Sequence, residues 1–80
     1  MNKNDFINEV AKRKGITPRR AYREVNDVMD TLRVVLSSGD DVQLGGFGTF
    51  EVLTDLRGER IIAFKSSTIL KNVLNIIKEE

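Results

Sequence analysis

The 80-residue sequence has no cysteine and no histidine, so disulfides, thiol nucleophiles and the two commonest ligands of structural metals are all absent. Tryptophan is missing as well, and the aromatic groups are four phenylalanines and one tyrosine. Pro18 is the only proline, and no apolar run approaches the roughly 18 residues needed to cross a bilayer. Met1-Asn2-Lys3-Asn4-Asp5 leads into an amphipathic pattern and not into the apolar core of a secretory signal. Together these absences predict a soluble chain of a reducing, cytoplasmic compartment with no membrane partner. They also speak against an enzyme, since no convergent set of His, Cys and carboxylates can be assembled, and no cofactor or metal is expected.

Small size narrows the choice further. Residues 1–80 are expected to form one domain, and a chain this short buries only about 60% of the surface its unfolded form exposes. With disulfides and metals unavailable, self-association is the remaining way to complete a core.

Thirteen Lys and Arg face twelve Asp and Glu, a net charge of +1, which by itself says nothing about nucleic acid. The distribution is uneven. Residues 1–23 hold Lys3, Lys12, Arg13, Lys14, Arg19, Arg20 and Arg23 against Asp5 and Glu9, a local balance of +5 that leaves −4 for the remainder. An anionic partner at the N-terminal end would account for this, and so would a solvated helix surface.

A first helix is predicted from Lys3 to Lys14, because Phe6, Ile7, Val10 and Ala11 fall on one face and Gly15 supplies the stop. Its last turn, Lys12-Arg13-Lys14, complements the negative end of the helix dipole whether or not it binds anything. Thr17-Pro18 opens a second helix, with Thr17 as N-cap and Pro18 where its missing N–H costs nothing. Ala21, Val25, Val28, Met29, Leu32, Val35 and Leu36 recur at steps of three and four, and Ser37-Ser38-Gly39 closes the helix. Arg20 and Glu24, and Arg23 and Asp27, are spaced for i,i+4 ion pairs, whereas Arg19 has no carboxylate at i+3 or i+4. Pro18, Arg19, Arg20 and Tyr22 could head a recognition helix of helix-turn-helix type, but such a unit is seldom followed by a hairpin and a third helix.

Gly45-Gly46-Phe47-Gly48-Thr49-Phe50-Glu51-Val52 punctuates the middle of the chain. Three glycines in four residues mark a backbone that needs positive φ or close approach. Asp41-Val42-Gln43-Leu44 alternates just before it, so a short strand, a Gly-rich turn and a longer strand from about Phe47 to Leu56 are expected. Alternation places Val52, Thr54 and Leu56 on one face and Glu51, Leu53 and Asp55 on the other. Arg57-Gly58 marks a second turn, and a return strand runs from about Glu59 to Phe64. Ser66 or Ser67 then caps a last helix, whose stripe of Ile69, Leu70, Val73, Leu74, Ile76 and Ile77 precedes Lys78-Glu79-Glu80. The glycine run lacks the spacing and the following Lys-Ser/Thr of a phosphate loop, and Asp40-Asp41, without companions, reads as a charged turn. The predicted order is helix, helix, three strands, helix, an α+β class. One protomer cannot cover these apolar faces, so Phe47, Phe50 and Phe64 are expected to meet their copies across a two-fold axis.

Gly46-Phe47-Gly48-Thr49-Phe50-Glu51-Val52, the opening Met1-Asn2-Lys3-Asn4-Asp5-Phe6-Ile7, and Ala63-Phe64-Lys65 before the last helix together resemble the HU and integration host factor family of bacterial histone-like DNA-bending proteins, over nearly the whole chain. The resemblance implies an intertwined HU-like homodimer, a helical base under a saddle of β-sheet, whose arms enter the minor groove of double-stranded DNA and kink it with an apolar wedge. Between Val52 and Ala63 this chain has only Leu53 to Ile62, where the family carries a long basic β-arm tipped by a proline. The long DNA-binding arm is therefore expected to be lacking.

Carried over position by position, Lys3, Lys65 and Lys71 stand where the family has basic residues near the DNA backbone. Leu53 and Asp55 stand where it usually presents arginines, and Thr68 where it has a further lysine. The resemblance thus implies a nucleoid-associated, cytoplasmic protein that binds and condenses DNA through its phosphates, without sequence preference and with little bending. Lys3, Lys65 and Lys71 would carry the inherited contacts, and Lys12, Arg13, Lys14, Arg19, Arg20 and Arg23 would form a basic shoulder. Arg57 and Arg60 would add cations at the hairpin tip, opposed there by Asp55 and Glu59. The alternative is an HU-fold structural or protein-interaction module, for example in a virus particle, touching another protein through Leu53, Leu56 and Ile61. A phage origin would suit either reading.

Overall fold

Helix α1, Lys3–Lys14, starts at a reciprocal cap. The Asn2 side chain accepts from the Asp5 N–H at 2.9 Å, and the Asp5 carboxylate accepts from the Asn2 N–H at 3.2 Å, so two donors orphaned at the helix start are satisfied at once. The computed structural model describes the backbone of residues 1–78 and the side chains as far as residue 76. The Ile77 and Lys78 side chains and Glu79-Glu80, which close the predicted last helix, lie outside the described residues. The chain divides after Arg33 into two compact units.

In the first unit, Gly15 ends α1 in the left-handed region at φ 65°, where a side chain would be strained. Helix α2, Pro18–Ser37, begins as expected: Thr17 Oγ1 accepts from the Arg20 N–H at 3.1 Å. Ile7, Ala11 and Ala21 are buried together, with Val10, Ile16 and Val25 packed around them. Phe6, on the predicted apolar face of α1, is half exposed.

The second unit contains the end of α2, a three-stranded antiparallel sheet in the order β1-β2-β3, and helix α3, Thr68–Lys78. Its strands are β1, Val42–Leu44, β2, Gly48–Thr54, and β3, Arg60–Ser66. Phe50 lies opposite both Val42 and Phe64, and Val52 opposite Ile62, so these side chains share one face. Thr49, Glu51 and Leu53 oppose Lys65, Ala63 and Ile61 on the other. Gly48 is required by space: a Cβ there would lie 2.5 Å from the Lys65 carbonyl oxygen and from the Phe64 ring. The Asp41 carboxylate accepts from the Val52 N–H at 2.9 Å and so ties the start of β1 to β2.

The predicted strand bounds shift here. β2 stops at Thr54, not Leu56, because Asp55 closes a turn: its carboxylate accepts from the Arg57 and Glu59 N–H groups at 2.8 and 2.9 Å, while its own N–H donates to the Glu59 carbonyl at 2.8 Å. Leu56 consequently leaves the Val52–Thr54 stripe and stands fully exposed in the turn. β3 starts at Arg60 and runs on to Ser66, so that Ser67, and not Ser66, caps α3 by accepting from the Leu70 N–H at 3.0 Å.

Among the described residues only Ile7, Ala11, Ala21 and Leu36 are buried apolar side chains. Ile69, Val73, Leu74 and Ile76 on α3 remain largely exposed.

Candidate nucleic-acid interface

The cations of the first unit fall into two groups. In α1, Arg13 Nε meets Glu9 at 2.9 Å, one helical turn back. Glu24 on α2 is shared: its two carboxylate oxygens take Lys14 from the end of α1 and Arg20, at 2.8 Å, from α2 itself. The hydrogen bond from Lys14, followed by that from Arg20, holds the Glu24 carboxyl below its ordinary range. Lys3, Lys12, Arg19 and Arg23 have no ion pair among the described residues. Arg23 and Asp27 do not make the expected pair, although Arg20 and Glu24, in the same order and spacing, do. Arg19 and Arg23, one turn apart, therefore place two uncompensated charges on one face of α2.

In the second unit, Lys65 Nζ reaches Glu51 diagonally across the sheet at 3.2 Å. Arg57 has Glu59 at 4.0 Å. Arg60 Nη1 donates to the Ser37 carbonyl at 3.4 Å. Lys71 has no ion pair among the described residues. Of the eleven cations read from the sequence as contacts for DNA, five thus have neither a carboxylate nor any other protein acceptor among the described residues: Lys3, Lys12, Arg19, Arg23 and Lys71. An unpaired cation can meet a phosphate without first giving up a protein partner. The shared acceptor at Glu24 escapes the sequence because Lys14 and Glu24 lie ten residues apart on different helices.

The three phenylalanines come together within the chain. Phe64 is 4.8 Å from Phe50 and 5.4 Å from Phe47, ring centre to ring centre, in tilted pairs. Phe47 and Phe64 are still 47% and 43% exposed. On the opposite sheet face, Leu53 and Ile61 pair directly across the strands, both about half exposed. Among the described residues no group of three His, Cys, Asp or Glu could hold a metal, and no helix is long and apolar enough to cross a membrane.

Residues 1–61 match the family model described as "Bacterial DNA-binding protein". DNA-binding protein HU of Geobacillus stearothermophilus is 46% identical over 52 residues, which are 65% of this chain and 58% of that relative's length. DNA-binding protein HU 2 of Bacillus phage SPbeta is 42% identical over 52 residues, 65% of this chain and 56% of the relative. DNA-binding protein HU of Staphylococcus aureus (strain COL) is 33% identical over 89 residues, covering 92% of this chain and 99% of the relative. Among solved structures, HU from Thermotoga maritima is similar with a TM-score of 0.80 and 31% identity, over 92% of this chain and 98% of that one. An Anabaena HU–DNA cocrystal structure is similar with a TM-score of 0.78 and 26% identity, over 92% and 97%.

Proposed function

Because the chain belongs to the HU family of bacterial DNA-binding proteins, a non-enzymatic family, we propose that it is a dimeric, sequence-nonspecific, architectural DNA-binding protein of the nucleoid. The observation that carries this reading is the set of cations left without any protein acceptor among the described residues, Lys3, Lys12, Arg19, Arg23 and Lys71. Phosphate contacts from these residues supply the affinity, since no base-reading element is present among the predicted features. Lys65, Arg13, Lys14 and Arg20 contribute once their carboxylates let go, and Arg57, beside Glu59, contributes least. The match to residues 1–61 runs across the boundary between the two compact units, which supports treating the 80 residues as one functional domain.

Two observations support the dimer: the half-exposed Phe47 and Phe64, and the exposed stripe of α3. A second copy that covered both would complete the core that one chain leaves open. A phage-encoded relative supports a phage origin as one source of such a chain.

Little bending follows from the short hairpin. The S. aureus match takes 89 residues, 99% of that relative, and 92% of this 80-residue chain, or about 74 residues, so about 15 residues of the relative have no counterpart here. The β2–β3 turn lies only about five residues beyond Val52, a reach of roughly 16 Å at about 3.3 Å per residue. That is too short to follow the minor groove around a duplex, so the contacts that would offset unstacking a base step are few.

The test is a gel-shift series at low salt with protein above micromolar concentration. About four to six phosphate contacts per dimer give a log–log salt slope of roughly −4 to −5, the same for a scrambled duplex, and end-to-end energy transfer on a short duplex should report no large bend. A strong preference for one sequence, or a large bend, contradicts the reading. A folded dimer that shifts no duplex instead favours the protein-interaction reading, for which the exposed Leu53, Leu56 and Ile61 offer an apolar contact.

A further inference from the structure

The last four carbonyls of a helix have no partner within it and must find one elsewhere. At the end of α2, the Val34 and Val35 carbonyls take the Ser38 N–H, the Val35 carbonyl also takes the Ser38 hydroxyl at 2.7 Å, and the Leu36 carbonyl takes the Gly39 N–H at 3.0 Å. The fourth, on Ser37, takes Arg60 Nη1 at 3.4 Å from a residue 23 positions away. The guanidinium lies so close over the backbone that a Cβ on Gly39 would stand 2.5 Å from Arg60 Nη2, and Gly39 turns there with φ 94°. α2 has no basic residue of its own in its last turn, so Arg60 also supplies the cation that the negative end of the helix dipole favours. Arg60 is the first residue of β3 and faces Thr54, the last residue of β2, at the far end of the hairpin ladder.

We propose that Arg60 is a positioning residue: it tethers the far end of the β2–β3 hairpin to the C-terminus of α2, and it is not a phosphate ligand. The hairpin is then a fixed ledge on the second unit, with Arg57 the one cation at its tip. The tether is read from geometry alone, whereas its effect on DNA rests on the function proposed above.

The experiment compares wild type, Arg60→Ala and Arg60→Lys by amide hydrogen exchange and by duplex affinity across a salt series. In Arg60→Ala, exchange at Ser38, Gly39 and residues 57–59 should quicken about two- to fivefold, the range expected for losing a cation at a helix end. Duplex affinity should fall by a similar factor at every salt concentration, with the log–log slope unchanged. Arg60→Lys, which keeps the charge and loses the fork, should fall between. A slope reduced by about 0.9 with exchange unaltered would identify Arg60 as a phosphate ligand and overturn the proposal, and unaltered exchange with unaltered affinity would overturn it as well. Faster exchange with undiminished affinity would keep the tether and overturn its positioning role. If wild type binds no duplex, the DNA reading fails while the exchange data still decide the tether.

Discussion

Phe64→Ala tests whether the aromatic cluster is shared between two copies. Phe64 sits at the middle of the cluster, in contact with both Phe50 and Phe47, yet 43% of it is open to solvent in the single chain. Removing a fully buried phenyl ring costs about 3–5 kcal/mol. In a monomer little more than half of this ring is buried, so the substitution would cost about 2–3 kcal/mol. In the proposed dimer both copies of the ring are buried and both are removed, at a cost of about 6–10 kcal/mol per dimer. At about 1.4 kcal/mol per decade, the lower figure lowers the equilibrium constant for forming the folded dimer from two unfolded chains by about four decades. Thermal melts over a hundredfold range of concentration, with light scattering for mass, read both effects. Hundredfold dilution withdraws about 2.7 kcal/mol from a dimer. Two 80-residue chains unfold with about 0.34 kcal/mol/K of entropy, at about 2.1 cal/mol/K per residue, so the wild-type midpoint should move by about 8 °C. Phe64→Ala should run as a monomer at micromolar concentration. A wild-type midpoint that ignores concentration, beside a variant weakened by only about 2–3 kcal/mol, would refute the reasoning.

Reversing Arg19 and Arg23 to Glu should weaken duplex binding more than reversing Arg57 and Arg60, and should flatten the salt slope by about 0.9 for each phosphate no longer neutralised; the opposite order would contradict the ranking of cations. Glu24 has a lowered native carboxyl pKa, so the stability it adds is present above its ordinary value of 4.5 and is lost as pH falls through the lower native value. The difference in urea stability between wild type and Glu24→Gln should therefore shrink in acid, and a difference that stays constant from neutral pH down to about 3 would refute the role of Lys14 and Arg20. Gly48→Ala, which forces a Cβ against the Lys65 carbonyl and the Phe64 ring, should cost about 1–3 kcal/mol in urea unfolding; an unchanged midpoint would mean that the strands can part at no cost.

The helices are legible because their ends are written in local chemistry. Thr17-Pro18 and Gly15 act through the backbone next to them, and the three- and four-residue steps of Ala21 to Leu36 need no knowledge of the rest of the fold. The ends of β2 and β3 are less legible. Alternation continues through Leu56, and only the hydrogen bonds of the Asp55 carboxylate, which compete with the ladder, decide that it stops at Thr54. The candidate site divides in the same way. Its cations can be counted in the sequence, but which of them are free depends on long-range partners such as Lys14 with Glu24, Lys65 with Glu51 and Arg60 with the end of α2. None of these pairs lies at a helical spacing.

The turn closed by Asp55 also governs how such a hairpin can change in length. Its carboxylate spans residues 57 and 59, and its N–H meets the Glu59 carbonyl, so a single inserted residue between 55 and 59 would break these hydrogen bonds and free the ladder to slip. A slip by one position would carry Phe64 and Ile62 to the face that now holds Lys65 and Ala63. An insertion that keeps the aromatic face intact must therefore add residues in matched pairs, one to β2 and one to β3, and leave the turn as it is.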